Sequence, residues 1–425
     1  MKNTLKIVNK NEDITKEFQD LIDKLNVNET LKVVKGKYLI KNLYLHSNMN
    51  IMFEDGVELI SNYKSSFDYI YTRVAGINMN WYAGLINIID SKNVSIKGHA
   101  VINGMGEYFY NLYWGPDQLG GIRKEYDAKG IRFLADYDLP RPRNILVQNS
   151  SNIIIEDIES LDSAFWNIHI LYSHDVLLNN IYINSRNLNA PSTDGIDIDS
   201  SYNVKVINAT TYTNDDSICI KSGRDSDGLK TNIPTHDVEI RDCHILKGFG
   251  LTIGSEVSGG IYNINVNNIT FDNTDCGFRI KSSFKRKGYI KDINLTNLKL
   301  NNVRYPILIQ LDWNKSYSNT TIPSGLDIEY KDYYYKLIEN VSDDIPNTII
   351  DNINIYNMCA QGSSNSRAFD IIGFKDMHIQ NFNIKNSKFD CVEFGRIENA
   401  NINFLDTSVS TCGKNSKVND EYDNR

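Results

Sequence analysis

Apolar and polar residues alternate along most of this chain in short runs, and the runs recur. Each unit opens on Asn or Asp, continues with alternating apolar residues and closes with a second short strand. Examples are "SNIIIEDIESLDS", "HDVLLNNIYINS", "YNVKVINATTYTND", "HDVEIRDCHILKG", "YNINVNNITFDNTD" and "KDINLTNLKLNN". Their anchoring Asn/Asp fall at 152, 175, 203, 237, 263 and 292, in steps of 23, 28, 34, 26 and 29. Period-2 alternation predicts strands. A repeat of this length with no amphipathic helix in each unit predicts a β solenoid, not a helical or leucine-rich array. The expected fold is all-β, a right-handed parallel β-helix whose coils stack about 4.8 Å apart. Asn and Asp at equivalent turns would form side-chain ladders.

One β-helix domain is expected over residues 1–425. Residues 1–45 form an N-terminal cap region, in which "ITKEFQDLIDKLN" places Phe18, Leu21, Ile22 and Leu25 on one face of a capping helix. Coils run over 46–405, and 406–425 reads as a C-terminal tail. Two insertions interrupt the repeat. Residues 105–143 are aromatic and loop-like, and 311–348 hold a short helix in "DIEYKDYYYKLIENV". Long insertions on a rigid scaffold commonly build binding sites.

Aligning the inward apolar pairs stacks the coils. Ile168/Ile170, Ile196/Ile198, Ile218/Ile220, Leu251/Ile253, Phe278/Ile280 and Ile307/Ile309 fall in one register. Strand side chains alternate between faces, so the residues between these pairs point outward. One outward column reads His169, Asp197, Cys219, Thr252, Arg279, Leu308, and its neighbour reads Leu171, Asp199, Lys221, Gly254, Lys281, Gln310. A third, just before the strands, reads Trp166, Asp194, Asp216, Phe249, Cys276, Tyr305. Asp194, Asp215 and Asp216 thus share one patch with Arg279 and Lys281. Crowded carboxylates raise one another's pKa, keeping one protonated as a general acid. Two cations on one face suit a substrate carboxylate. Singly, each aspartate also reads as a turn residue, and Asp199 beside Lys221 reads as a cross-coil ion pair.

Formal charge is −8, from 45 Lys+Arg against 53 Asp+Glu, with no basic block. That disfavours nucleic acid and anionic membrane surfaces as partners, and no apolar run is long enough to span a bilayer. The N-terminus shows no signal peptide, so a cytoplasmic location is expected unless a leader has been removed. Cysteines 219, 243, 276, 359, 391 and 412 show no zinc spacing and are expected to be reduced and mostly buried.

At these residues the sequence resembles glycoside hydrolase family 28, the polygalacturonase-like enzymes. The family's Asn-Thr-Asp, Asp-Asp, Gly-His-Gly and Arg-Ile-Lys motifs stand here as "STD" (192–194), "DD" (215–216), "GFG" (248–250) and "RIK" (279–281). "IGSEVSGG" resembles the bacterial branch, which includes exo-acting members. The resemblance implies Asp215 as general acid, with Asp194 and Asp216 positioning and deprotonating water for inversion at the anomeric carbon. It further implies Arg279, Lys281 and Tyr305 as binders of a galacturonate, and no metal or organic cofactor. The expected partner is an acidic oligosaccharide, cleaved from one end. Phe249 replaces the motif histidine and cannot hydrogen-bond or titrate, so it would desolvate a neighbouring acid or offer its ring to a sugar. His169, on the same face but another coil, is a conceivable substitute. Tyr108, Phe109, Tyr113 and Trp114 would stack on sugars or simply pack their loop. Competing readings are a catalytically silent carbohydrate-binding β-helix, a calcium-dependent pectate-lyase-type enzyme and, more remotely, a phage tailspike.

Overall fold

The computed structural model describes residues 4–5, 12–185, 189–411, 414–418 and 421–423. It is a right-handed parallel β-helix. One face is a sheet of eleven parallel strands running from Leu43–Leu45 to Glu393–Glu398. The other strands of the coils form a second, larger sheet, which takes in both ends of the solenoid. The register read from sequence holds through the site-bearing sheet, where Ile168, Ile196, Ile218, Leu251, Phe278 and Ile307 pair in succession. These residues and their inward neighbours are buried in one core that runs from Phe18 to Val409.

The turns explain the Asn/Asp anchors. Asn152, Asp175, Asn203, Asp237, Asn263 and Asp292 all adopt φ between +51° and +57°. Asn and Asp tolerate this left-handed region far better than β-branched residues do. Stacked turns then bond side chain to side chain. Asn152 donates to Asn93 (2.7 Å) and Asn352 to Asp292 (2.7 Å). A parallel ladder at the next corner links Asn357, Asn297 and Asn267 at 2.9 Å each.

Both ends are closed. The helix Thr15–Ile22 buries Phe18 and Ile22 in the core. The Gln19 side-chain amide bonds the Tyr44 backbone on both its N–H and C=O, at 2.9 Å each. The helix is shorter than the expected 13-residue segment and ends at Asp23. Residues 406–425 are not a simple tail. Thr407–Thr411 continues the parallel ladder, and Lys414–Val418 and Glu421–Asp423 fold back antiparallel over the last strands. An exposed strand edge is an aggregation hazard, and this reversal covers it. Cys412 lies outside the described residues. The described cysteines are free thiols, and all but Cys359 are buried.

The first insertion is helical, contrary to the loop expected. Helices span Glu107–Trp114 and Gly121–Ala128, followed by a turn of 3-10 helix at Arg132–Leu134 and a short helix at Ala135–Asp138. Phe109, Tyr110 and Tyr113 recur at helical spacing and are buried, and Tyr110 donates to the Ser163 carbonyl. In the second insertion the expected helix is Asp332–Ile338. An antiparallel hairpin, Tyr69–Val74 with Ile77–Tyr82, joins the two insertions in a second hydrophobic cluster outside the solenoid. No helix among the described residues is long and apolar enough to cross a membrane.

Asn297 tests the turn argument, since its φ is +58° and it both donates to and accepts from ladder neighbours. Asn297→Val should cost about 1–2 kcal/mol, read as a lowered thermal midpoint. Asn297→Gly, which tolerates the same backbone, should lose markedly less. Equal losses would contradict the left-handed turn as the cause.

Candidate active site

The three aspartates sit where coil turns deliver the chain into the eleven-stranded sheet. Asp194 lies two residues before the strand Ile196–Asp199, and Asp215 and Asp216 lie just before Ile218–Lys221. Arg141 secures the Asp194 turn by donating to the Pro191 carbonyl (2.9 Å) and the Ser192 hydroxyl (3.3 Å). Arg279 and Lys281 alternate along Cys276–Lys281, two coils on, and point to the same face.

These groups meet as the sequence register predicts. Asp216 is buried and accepts from Arg279, from Lys281 Nζ at 2.7 Å and from Thr252 Oγ1 at 2.8 Å. Burial acts to raise its pKa, but Arg279, Lys281 and Lys221 outweigh it and hold the carboxyl well below the usual range. Asp215 is half-buried, and its carboxyl accepts only the Asp216 backbone N–H (3.0 Å) among the described residues. Burial, then Asp194 and Asp216, push it up to about 7. Asp194 is also raised, by burial and by Asp216, although Lys221 Nζ sits 3.1 Å away. A carboxylate oxygen of Asp194 lies within 4.8 Å of one of Asp216, a gap that a single water spans with a hydrogen bond to each. Cys219 Sγ completes that cluster but donates to the Gly254 carbonyl (3.2 Å), and burial keeps its thiol well above its ordinary pKa.

Lys221 does not pair with Asp199. Its ammonium lies 3.1 Å from Asp194, 3.3 Å from Asp197 and 3.5 Å from Glu256, over the Trp166 ring at 4.2 Å. Asp199 is taken instead by Arg73 of the hairpin, at 2.7 Å. Burial pushes the pKa of Asp197 well up, against the pull of Lys221 beside it. Glu256 has its pKa lowered to about 2, because Lys221, Arg286 and Lys281 overcome burial. His169 is buried behind the site with its ring edge against Trp166. Burial and Arg143 push its pKa down to about 3, so it offers no substitute imidazole at Phe249.

The GFG turn shows why its glycines are needed. Gly248 and Gly250 have φ of +107° and +73°. A Cβ on either would fall 2.2 Å from an oxygen, Thr213 Oγ1 or the Cys276 carbonyl respectively. Phe249 N donates to the Asp215 carbonyl (3.1 Å), and its ring carries the Arg279 guanidinium at 4.5 Å. Phe249 therefore supports the cation that holds Asp216.

The cavity over these acids has about 540 Å³ of empty space, counting the open solvent at its mouth. Asp194, Asp215, Asp216, Lys221, Glu256 and Lys281 line its floor, and Phe165 and Trp166 add aromatic surface. Both insertions supply its wall. Arg132 and Asp136 come from the first, and Trp313, Asn314 and Tyr317 from the second. Trp313 faces Lys281, whose ammonium is 4.6 Å from the ring. Of the expected substrate binders only Lys281 lines the cavity; Arg279, Tyr305 and Phe249 do not, and the half-buried Tyr305 ring packs under Arg304 at 4.8 Å. Nor do Tyr108, Phe109, Tyr113 or Trp114 reach the cavity. Sequence reasoning missed Glu256 and the insertion residues. Glu256 stands in the quoted "IGSEVSGG", but its partner Lys221 had been assigned elsewhere.

Comparison with known proteins agrees with this geometry. The profile of glycosyl hydrolases family 28 matches residues 26–351. A probable polygalacturonase of Vitis vinifera is 28% identical over 77% of this chain and 66% of its own length. An endo-polygalacturonase of Pectobacterium parmentieri is 24% identical over 75% and 76%. Among solved structures, an exopolygalacturonase from Thermotoga maritima superposes with a TM-score of 0.74 at 22% identity, covering 97% of this chain and 91% of its own. The family 28 exopolygalacturonase of Yersinia enterocolitica gives the same score at 19% identity, covering 98% and 77%. With a profile match over most of its length and a β-helix bearing three acids against two cations, this chain belongs to the glycosyl hydrolases of family 28.

Proposed function

We propose that this chain is an inverting hydrolase that removes galacturonic acid from one end of pectin-derived oligosaccharides. The observation that carries the reading is the separation of two adjacent acids, Asp215 raised to about 7 and Asp216 held ionised by Arg279 and Lys281. Neighbouring carboxyl groups with pKa values pushed apart divide acid and base roles between them. Asp215 donates its proton to the glycosidic oxygen as the bond breaks. Asp194 and Asp216 hold the attacking water between them and take its proton, which delivers the water to the opposite face of the sugar and inverts the anomeric centre.

Arg279 and Lys281 bind the uronate carboxylate of the substrate while remaining close to Asp216. Trp313, on the cavity wall, supplies a ring for sugar C–H groups. Phe249 replaces a titrating ring by an apolar support for Arg279, leaving Asp215 to be tuned by burial and the other acids. Action from a chain end is supported by the wall that the two insertions raise beside the acids. Relatives carry both names, among them a probable exopolygalacturonase B of Aspergillus terreus.

Asp215→Asn should lower kcat by about 10²–10⁴-fold with the circular dichroism spectrum unchanged. NMR of the first product formed by the wild type should show the anomer opposite to that of the bond cleaved, and retention would overturn the mechanism. The kcat/KM profile should fall as pH rises through about 7, where Asp215 loses the proton it must donate. Stability gives an independent check. Because folding raises the pKa of Asp215 from 3.8 to about 7, the folded state binds more protons in that window and stability falls as pH rises through it. Asp215→Asn removes this loss, so its thermal midpoint should exceed that of the wild type at pH 8, with the advantage shrinking toward pH 4.

A further inference from the structure

The two insertions that form the cavity wall are far apart in sequence and meet on one carboxylate. Asp138, at the end of the first insertion's last helix, accepts a hydrogen bond from the Tyr126 hydroxyl of the same insertion at 2.5 Å. It also accepts from Tyr333 and Tyr334 of the second insertion, and Lys331 Nζ lies 2.9 Å away. Its side chain is 1% exposed. A carboxylate in this setting makes charge-assisted bonds that are short and strong, and deleting it would strand three hydroxyls at a covered site.

The position of this cluster gives it consequence. One and two residues before Asp138, Tyr137 donates to the Ala75 carbonyl of the hairpin (2.8 Å), and Asp136 pairs with Arg132 (2.6 Å) at the cavity edge. Tyr334 and Leu337 are buried with Ile131, Phe133, Leu134 and Tyr137 in the cluster outside the solenoid. From the second insertion, Trp313 and Tyr317 face the acids, and Tyr317 donates to Glu256 (3.2 Å). The wall is therefore two separate excursions of the chain, joined behind the cavity at Asp138 and the cluster beneath it.

We propose that Asp138 is a positioning residue that locks the two insertions into one wall, and that this wall sets where a polymer chain must end in the groove. The proposal rests on the reading of the chain as an exo-acting hydrolase. Asp138 touches neither substrate nor acids, so its removal should leave the proton chemistry in place and loosen the stop.

The experiment compares wild type, Asp138→Ala, Asp138→Asn and the double variant Tyr333→Phe/Tyr334→Phe on long polygalacturonate and on trigalacturonate. Product sizes, kcat, KM and thermal midpoint are measured for each. Wild type should release monomer from the start. Asp138→Ala should raise KM for the polymer by about tenfold, the equivalent of one lost charged bond. Its kcat on the trimer should hold, and dimers and trimers should appear among its early products. The double tyrosine variant should shift in the same direction by a smaller amount. Asp138→Asn keeps the shape and one acceptor and should lie between, which preserves the test if the alanine variant does not fold. Wild-type products and KM in a folded Asp138 variant would overturn the clamp. Mixed oligomers from the wild type would instead overturn the exo reading, and an unchanged KM in the variants would then refute the clamp as well.

Discussion

Each coil must lie one strand spacing above the last, and it must do so with its corners turned by residues that accept a left-handed backbone. Asn and Asp meet that demand at Asn152, Asp175, Asn203 and their successors, and their side chains bond to the coil below. Because the corners are fixed, the strand between them cannot slip by a residue without exposing its isoleucines. The register is thereby locked, and with it the lateral position of every outward side chain. Asp194 and Asp216 face one water-sized gap because their coils are adjacent, and Arg279 reaches Asp216 because its coil is two further on.

The same rigidity lets the fold bury an unusual density of charge. Lys221 serves Asp194, Asp197 and Glu256 together, and Arg73 occupies Asp199. An isolated buried charge would be ruinous, and a paired one is tolerated only with near-ideal partners. Here the partners come from different coils and from the hairpin, so the ionisation pattern is a property of the stack. Asp215 is the exception. Its carboxyl lines the cavity with only a backbone N–H to satisfy it among the described residues, and burial together with Asp194 and Asp216 pushes its pKa up to about 7.

Much of this was legible in the sequence because the solenoid makes long-range contacts periodic. The alternation at Ile196/Ile198 and Ile218/Ile220 placed Asp194 beside Asp216 with no structural input, and the structure keeps that register. The missed contacts from the hairpin and the insertions share one cause. Asp199 was paired with Lys221 because stacking puts them side by side. Arg73 intervenes from a hairpin that belongs to no coil, and no period reports it. Trp313, Tyr317 and Arg132 were missed for the same reason, as insertion residues reach the site by tertiary packing. The first insertion read as loop because its aromatic content masked the helical spacing of Phe109, Tyr110 and Tyr113.

The second hydrophobic cluster, built from hairpin and insertions outside the solenoid, divides the molecule into two inheritances. The ladder carries Asp194, Asp215, Asp216, Arg279 and Lys281 and tolerates little change, since every coil is the template for the next. The outer cluster has its own apolar contacts, packs on the solenoid at Phe165 and Trp166, and is tied to it further by the Arg73–Asp199 pair and by Arg224, which donates to the Tyr137 hydroxyl. Such a unit can vary where it faces outward, whereas a change at Arg73 or Tyr317 reaches the charges beneath it through Asp199 and Glu256. The shape of the cavity mouth is therefore open to change at insertion residues such as Arg132, Trp313 and Asn314, for which no coil supplies a template.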